Sequence, residues 1–482
     1  MQFNSVKYLI YLGIVYLVFN LVSERMRWCV LLFASLLFYA ELNAPYLLVV
    51  LILVAFITYG FGIWLDQVET EKARKNILWI GIASNLVILI VMKYQTLVVE
   101  SIIQLITFNS IKYQIQPIKT LVTIGISYYV FQAISYLIDV YLEIEKPERH
   151  IGYFVLYLSF FPKLLQGPIE RSSELLPQLR EKYKFDYNNT RYGMLLFAWG
   201  LFKKIVIADR VGIYVDTVYN NITYFSGTPL LYATYLYAIQ IYMDFSGYTD
   251  MALGSAYLFN IKLTQNFNSP YFATSVADFW RRWHISFSRW ILDYIFKPLQ
   301  MKWRYLNKFG TASALIVTFL ISGIWHGASA GFIIWGVLHG IFLASSVYYK
   351  PFQKKIHKAL GLERTNTLKY WQMFATFNFI CFAWIFFRSN TTSDALYLIT
   401  HVADNSKGLG ELLSAQGSTE LILTFVFVAA AIIVESIGSI STVAEKIYEK
   451  PIWVRWTVYY TLMIIIILFH VETGKSFAYF QF

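Results

Sequence analysis

Charge and cysteine are both scarce in this chain, and each shortage narrows what it can be. Only 14% of its 482 residues are charged, where a soluble domain carries about 25%. Its two cysteines, Cys29 and Cys381, sit far apart in apolar runs. That argues against a disulfide framework, and without a CxxC or a Cys/His ligand spacing it gives no metal site. The pattern Gly-x-Ser-x-Gly occurs at Gly327-Ala-Ser-Ala-Gly331, but without the strand that a nucleophile elbow needs before it, so a hydrolase-type serine nucleophile is not indicated. Neither an internal repeat nor a low-complexity tract stands out. The N-terminal run MQFNSVKYLIYLGIVYLVFNLV has one lysine before its apolar core and no small-x-small cleavage pattern after it. It reads as a retained first span rather than a removed signal peptide.

What is present is apolar and aromatic. Hydrophobic residues make up 57% of the chain and aromatics 19%. Repeated apolar runs predict an all-α polytopic membrane protein. Candidate spans fall at 6–22, 28–42, 45–65, 77–92, 120–142, 193–218, 230–258, 311–325, 331–349, 371–388, 421–440 and 453–470. The expectation is about 11–12 spans, some shorter than the ~20 residues of an upright helix and so tilted or re-entrant. Many of the 37 tyrosines and 14 tryptophans suit interfacial belts. The net charge of +11 fits cytoplasmic loops and anionic membrane lipids, and nucleic acid is not an expected partner. The clearest basic connections are Asp66 to Asn76 and Lys350 to Lys369. Placing the first in the cytoplasm puts the N-terminus outside. The polar connection Asp404 to Thr419 reads as an exposed loop. The chain is taken as one membrane domain, 1–482, with N-terminal spans at 1–150, core segments at 151–350 and C-terminal spans at 351–482.

Three stretches do not behave as plain spans. Phe160 to Pro177 carries Pro162, Gly167, Pro168, Glu170 and Arg171 in quick succession. It is either a surface loop or broken backbone covered by protein at membrane depth. Ile241 to Gly254 places Asp244 and Asp250 in an apolar span, around Ser246 and Gly247. Two acids without local bases are expected to pair with basic groups elsewhere or to face water. From Val276 to Pro298, Trp280, Trp283, Phe287, Trp290, Ile291 and Tyr294 form one helical stripe. Asp278, Arg282, Arg289, Asp293 and Lys297 lie opposite, with Asp278/Arg282, Arg289/Asp293 and Asp293/Lys297 at i,i+4. This predicts an amphipathic helix, not a span. His284 sits at the stripe's edge beside Arg281. It either lines a cavity or is incidental to a membrane-anchoring helix.

The most unusual stretch is Ile321 to Gly340, ISGIWHGASAGFIIWGVLHG, inside a charge-free run from Thr311 to Tyr349. An ionisable group at that depth is costly and invites a functional reading. Gly323, Gly327 and Gly331 would share one face of a continuous helix and pack closely on a neighbour. Gly327-Ala-Ser-Ala-Gly331 also weakens the helix, placing His326 near a break. A neutral imidazole there suits a general base that deprotonates an acceptor hydroxyl for attack on an activated acyl group. Ser322 and Ser329 are near, but no third group completes a nucleophilic triad. His339 reads as a packing or hydrogen-bonding histidine.

Taken together, GISYYVFQAISYLIDVY (Gly125 to Tyr141), FFPKLLQGPIER (Phe160 to Arg171), IYMDFSGYTDMALG, QNFNSPYFA (Gln265 to Ala273), DFWRRWHISFSRWILDYIFKPL (Asp278 to Leu299), WHG, FAWIFFRS (Phe382 to Ser389) and a terminal AYFQF resemble the membrane-bound O-acyltransferase family. The resemblance covers most of the chain, and within the family it is nearest the bacterial alginate-type branch. It implies spans in a ring around a thin central tunnel. It implies His326 as the invariant histidine and His284 as the second functional one. Candidate substrate or tunnel residues are Trp325, Trp280, Arg281, Trp283, Gln132, Asp244, Ser246, Asp250, Asn266, Glu170 and Arg171. It further implies acetyl-CoA or a similar acyl thioester as donor, with no bound cofactor, and a polysaccharide acceptor outside a plasma (inner) membrane. An extracytoplasmic serine-esterase-like protein would act as relay partner. The alginate-type branch usually carries Gly-Gly-Asn-Arg after the amphipathic helix, where this chain reads KPLQMKWRYLNKFG. The related branch that moves D-alanine onto teichoic acids is the alternative. A polysaccharide or lipid-linked sugar transporter and a non-catalytic scaffold are the rivals from other classes, and the inverted repeat a transporter should show is not evident.

Overall fold

Lipid offers no partner for a bare peptide group, so a long apolar run satisfies its backbone by becoming helix. The computed structural model describes residues 1–42, 44–94, 123–363, 365–404, 417–438, 440–472 and 477, and among them every regular element is helical. Seven of these helices are long and apolar enough to cross a membrane: Tyr46–Gln67, Glu71–Lys93, Arg304–His326, Ala330–Ala359, Asn366–Arg388, Ser418–Ile437 and Ile452–Phe469. Val6–Leu21 is a shorter apolar helix.

The other expected spans take different forms. Arg27–Ala40 has 14 residues and Ile126–Tyr141 has 16. The stretch at 193–218 is interrupted by a π-helical segment, Phe202–Ala208. Thr228–Tyr257 is 30 residues long but carries both acids. Residues 120–122, most of the 404–419 connection and the terminal AYFQF lie outside the described residues. The chain divides into two compact units, Met1–Gly193 with Ser255–Thr264, and Met194–Gly254 with Gln265–Phe482. The division therefore crosses the three sequence segments rather than following them.

In the first unit, Ile126–Tyr141 is buried along nearly its whole length and packs against Tyr46–Gln67 and Glu71–Lys93. The FFPKLLQGPIER segment is not a surface loop. Residues Phe160 to Glu170 are all buried, in turns rather than helix. Buried backbone outside helices needs specific partners, and it finds them. Phe161 N–H donates to Ser35 Oγ at 3.0 Å. Gly167 N–H donates to Lys163 O at 3.0 Å. Tyr157 O–H donates to Glu170 O at 3.0 Å.

In the second unit, Asn307–His326 and Ala330–Ala359 form an antiparallel hairpin with Asn366–Arg388 packed against it. The hairpin closes by direct backbone contact. A Cβ on Gly323 would lie 2.4 Å from Phe332 O, and one on Gly336 2.4 Å from Phe319 O. The expected single glycine face is corrected here. The helix ends at His326, so Gly323 faces the following helix. Gly331 faces Phe386 O on the third helix. Gly327 caps the first in extended backbone. The turn at Gly327–Ser329 lies at one end of this hairpin, and the basic connection beginning at Lys350 lies at the other.

Candidate functional site

His326 is the last residue of its helix and is only 3% exposed. Rings enclose it. Trp325 lies 4.5 Å away between centroids, and Trp335 and Phe387 each 5.0 Å, edge-on. Phe332 lies at 6.2 Å and Phe287 at 6.4 Å. The helix break does this work. Gly327 lets the chain turn at once into Ala330–Ala359, which brings Phe332 and Trp335 back onto the imidazole.

His284 comes from the segment expected to be one amphipathic helix, and that expectation is corrected. The segment is Val276–Arg282, a break, Ile285–Ile291, a π-helical turn Leu292–Phe296, and Lys297–Lys302. His284 is the break, with φ 43° and ψ 56°. A β-carbon-bearing residue there is strained unless its surroundings hold it. Here the loop after Gln265 holds it. Ile285 N–H donates to Asn266 O at 2.9 Å, and Ser286 N–H donates to Asn266 Oδ1 at 3.0 Å. Asn266 thus takes up backbone donors freed by the break. Arg282 pairs with Asp278 at 3.1 Å and Lys297 with Asp293 at 2.7 Å, as the i,i+4 spacing predicted.

The break turns His284 inward to 1% exposure. Its ring is 4.8 Å from Phe245 and stacks on Phe287 at 5.1 Å. Phe287 also stacks on Trp325 at 4.5 Å. One phenyl ring therefore adjoins both histidines. Arg281 does not join them, since its side chain is 71% exposed and lies 3.5 Å from Asp278. Trp283 is buried between Phe279 and Trp384. Trp280 donates its indole N–H to His339 Nδ1 at 3.1 Å. His339 is fully buried and also meets Trp335 edge-on. It holds the wall behind His326, as its hydrogen-bonding reading anticipated.

Asp244 and Asp250 find their bases on the π-helical segment. Lys204 bonds Asp244 at 2.6 Å and Asp209 at 2.8 Å. Lys203 bonds Asp250 at 2.6 Å and donates to Ser246 Oγ at 2.9 Å. All five members of these ion pairs lie in an apolar setting, where geometry decides whether a pair is tolerated. Both lysines were missed from sequence, although two adjacent lysines in an apolar run, FKKIV, are a readable signal. Nearby, Tyr242 O–H donates to Glu435 at 2.6 Å.

Gln132, Glu170 and Arg171 belong to the first unit. Lys163 Nζ, also missed from sequence, donates to Gln132 Oε1 at 2.7 Å. Glu170 accepts from Thr264 N–H at 2.6 Å and Thr264 Oγ1 at 3.0 Å. These bonds give Gln132 and Glu170 a role in closing the buried turns.

Apolar helices enclosing a ring-walled pair of buried histidines define a polytopic membrane protein with a buried polar site. The family model of membrane-bound O-acyltransferases matches residues 77–389. The chain is similar to the peptidoglycan O-acetyltransferase of Helicobacter pylori, 35% identical over 77% of this chain and 72% of that one. It is also similar to the probable alginate O-acetylase AlgI of Pseudomonas aeruginosa, 33% identical over 79% and 69%. The teichoic acid D-alanyltransferase of Bacillus subtilis is 30% identical over 55% and 68%. The chain belongs to the membrane-bound O-acyltransferase family and is a multi-pass membrane acyltransferase.

Proposed function

We propose that this protein transfers an acetyl group from a cytoplasmic acyl thioester to a hydroxyl of a cell-envelope polysaccharide outside the inner membrane. The observation that carries the reading is His326, a buried imidazole walled by rings, at the hairpin end opposite the basic connection. If basic connections face the cytoplasm, His326 lies toward the extracytoplasmic end. In the proposed step its imidazole takes the acceptor hydroxyl's proton as the oxygen attacks the thioester carbonyl. The tetrahedral intermediate collapses, the C–S bond breaks, and the imidazolium returns the proton to the departing thiolate. His284, across Phe287, would orient the donor or the acceptor. The acceptor is the glycan itself or a relay protein carrying a serine-esterase-like domain.

The named activities of the relatives support acetyl over D-alanyl transfer, since the O-acetyl-transferring relatives match more of the chain. D-alanyl transfer to teichoic acid is the second reading. Family membership as an acyltransferase replaces the transporter reading. The test is His326→Ala in cells, at matched membrane abundance, reading ester-linked acetate and D-alanine on purified envelope glycans. Loss of acetate supports the proposal, loss of D-alanine transfers it to the second reading, and unchanged esters of both kinds refute the catalytic assignment.

A further inference from the structure

The first unit carries an open cleft to which the proposed acyl transfer assigns no residue. It lies between the start of Arg27–Ala40, the end of Ser172–Arg180 and the loop at Phe259–Ile261, and is open to solvent. Its place in the fold is specific. Trp28 on its wall packs against His150 and Tyr153. The neighbouring Arg149 pairs with Asp66, at the start of a basic connection. The cleft therefore opens at the unit's basic end, which the distribution of lysine and arginine assigns to the cytoplasmic leaflet.

Its lining is charged in both senses. Arg27 is half-buried and clamped between ring faces, 5.3 Å from the Phe19 centroid and 5.0 Å from that of Tyr183. Its Nε donates to Phe19 O at 3.2 Å and its Nη1 to Tyr183 O at 3.3 Å. Among the described residues Arg27 has no carboxylate partner. A guanidinium has five N–H donors, so most of its fork remains for an anion. Arg180 lies over Tyr153 at 4.5 Å and pairs with buried Glu148, and Lys182 is exposed at the rim. Two exposed carboxylates, Glu24 and Glu181, share that rim. The floor is apolar, from Phe19, Leu31 and Phe259. Beside the mouth Leu17, Leu21 and Met26 are exposed, an apolar surface that acyl chains would cover.

We propose that this cleft binds the headgroup of an aminophospholipid, a phosphodiester with a primary ammonium. The phosphate sits on Arg27, where the fork can meet two oxygens at once, with Lys182 above it. The ammonium donates to Glu24 and Glu181. The mixed lining selects this class. An anionic headgroup without an amine would leave both carboxylates facing further negative charge, and a quaternary ammonium has no N–H to donate.

The experiment is native mass spectrometry of the purified full chain with equimolar phosphatidylethanolamine, phosphatidylglycerol and phosphatidylcholine. The expected result is one retained phosphatidylethanolamine, several-fold above the other two. Arg27→Gln should lower its retention at least fivefold, and Arg27→Lys should restore part of it. Lys182→Gln, at an exposed position, should weaken retention without changing the unfolding temperature. Glu24→Gln with Glu181→Gln should keep an adduct but erase the preference for the amine. Equal retention of all three lipids overturns the proposal, as does undiminished retention in a folded Arg27→Gln. Displacement of the lipid by millimolar coenzyme A from the wild type but not from Arg27→Gln also overturns it, assigning the cleft to a soluble phosphate.

Discussion

Two groups of buried polar side chains in the second unit are surrounded by opposite kinds of neighbour. Around Lys203 and Lys204 the partners are carboxylates at 2.6 to 2.8 Å. Around His326 they are the rings of Trp325, Trp335, Phe332 and Phe387. Ion pairs fix the protonation state of both members, which suits a structural joint. Rings restrict where an imidazole can point while leaving its charge free to change during a reaction. On the proposed function, the contrast separates a buried charge that holds helices together from a buried imidazole placed to act as a base.

Breaking the joint should have the largest effect. Lys204→Ala leaves Asp244 and Asp209 buried without their shared base, and removing one member of a buried pair costs about 3–5 kcal/mol. The protein should fail to accumulate or should unfold far below the wild type in detergent. Lys204→Ala at wild-type abundance and unfolding temperature would show that the pair is not structural. Breaking the ring-walled site should do the reverse. His326→Ala should cut acyl transfer by about 10²–10⁴-fold, the usual reach of a general base. Its unfolding temperature should stay near the wild type, because the rings around the imidazole keep their contacts with one another, Phe332 and Trp335 each packing on Phe387.

Phe287→Leu sharpens the comparison by loosening the ring between the histidines. Volume-similar apolar exchanges cost under about 1.5 kcal/mol, whereas small misplacements of catalytic groups are expensive in rate. Transfer should fall by roughly tenfold in a protein that melts almost normally. Equal losses of rate and stability would make Phe287 ordinary packing. Trp280→Phe removes the donor to His339 and should cost about 1 kcal/mol, read as a shift in unfolding midpoint.

The smallest effect concerns charge outside the spans. In the connection after Ile126–Tyr141, burial pushes the Glu145 carboxyl from 4.5 up to about 7, with the Ser172 hydroxyl bond working against it. The fold therefore favours the neutral form. Its stabilisation is complete below pH 4.5 and is lost as pH rises through 7. Glu145→Gln should flatten that part of the melting-temperature profile. An unchanged profile would show that other groups set it.

The helical class was legible because apolar runs and scarce charge admit little else. His326 was legible because a histidine beside a glycine-weakened turn in a charge-free stretch from Thr311 to Tyr349 is conspicuous. The need of Asp244 and Asp250 for distant bases was legible too, but the bases were not. Lys203 and Lys204 sit inside the candidate span 193–218, and only the π-helical segment shows them aimed at the acids. The continuous wheel drawn through Trp280 and Tyr294 failed for a related reason. Periodicity locates a stripe, yet it cannot report that His284 adopts φ 43° and that Asn266 takes up the freed N–H groups. Likewise the three glycines spaced by four implied one face, while the turn at Gly327 divides them between helices.

The most direct test is acyl transfer by the purified protein in nanodiscs, with radiolabelled acetyl thioester and a soluble glycan acceptor. The account predicts that His326→Ala loses at least about 100-fold in label transferred, while its unfolding temperature matches the wild type. A folded His326→Ala that transfers label at the wild-type rate would contradict it.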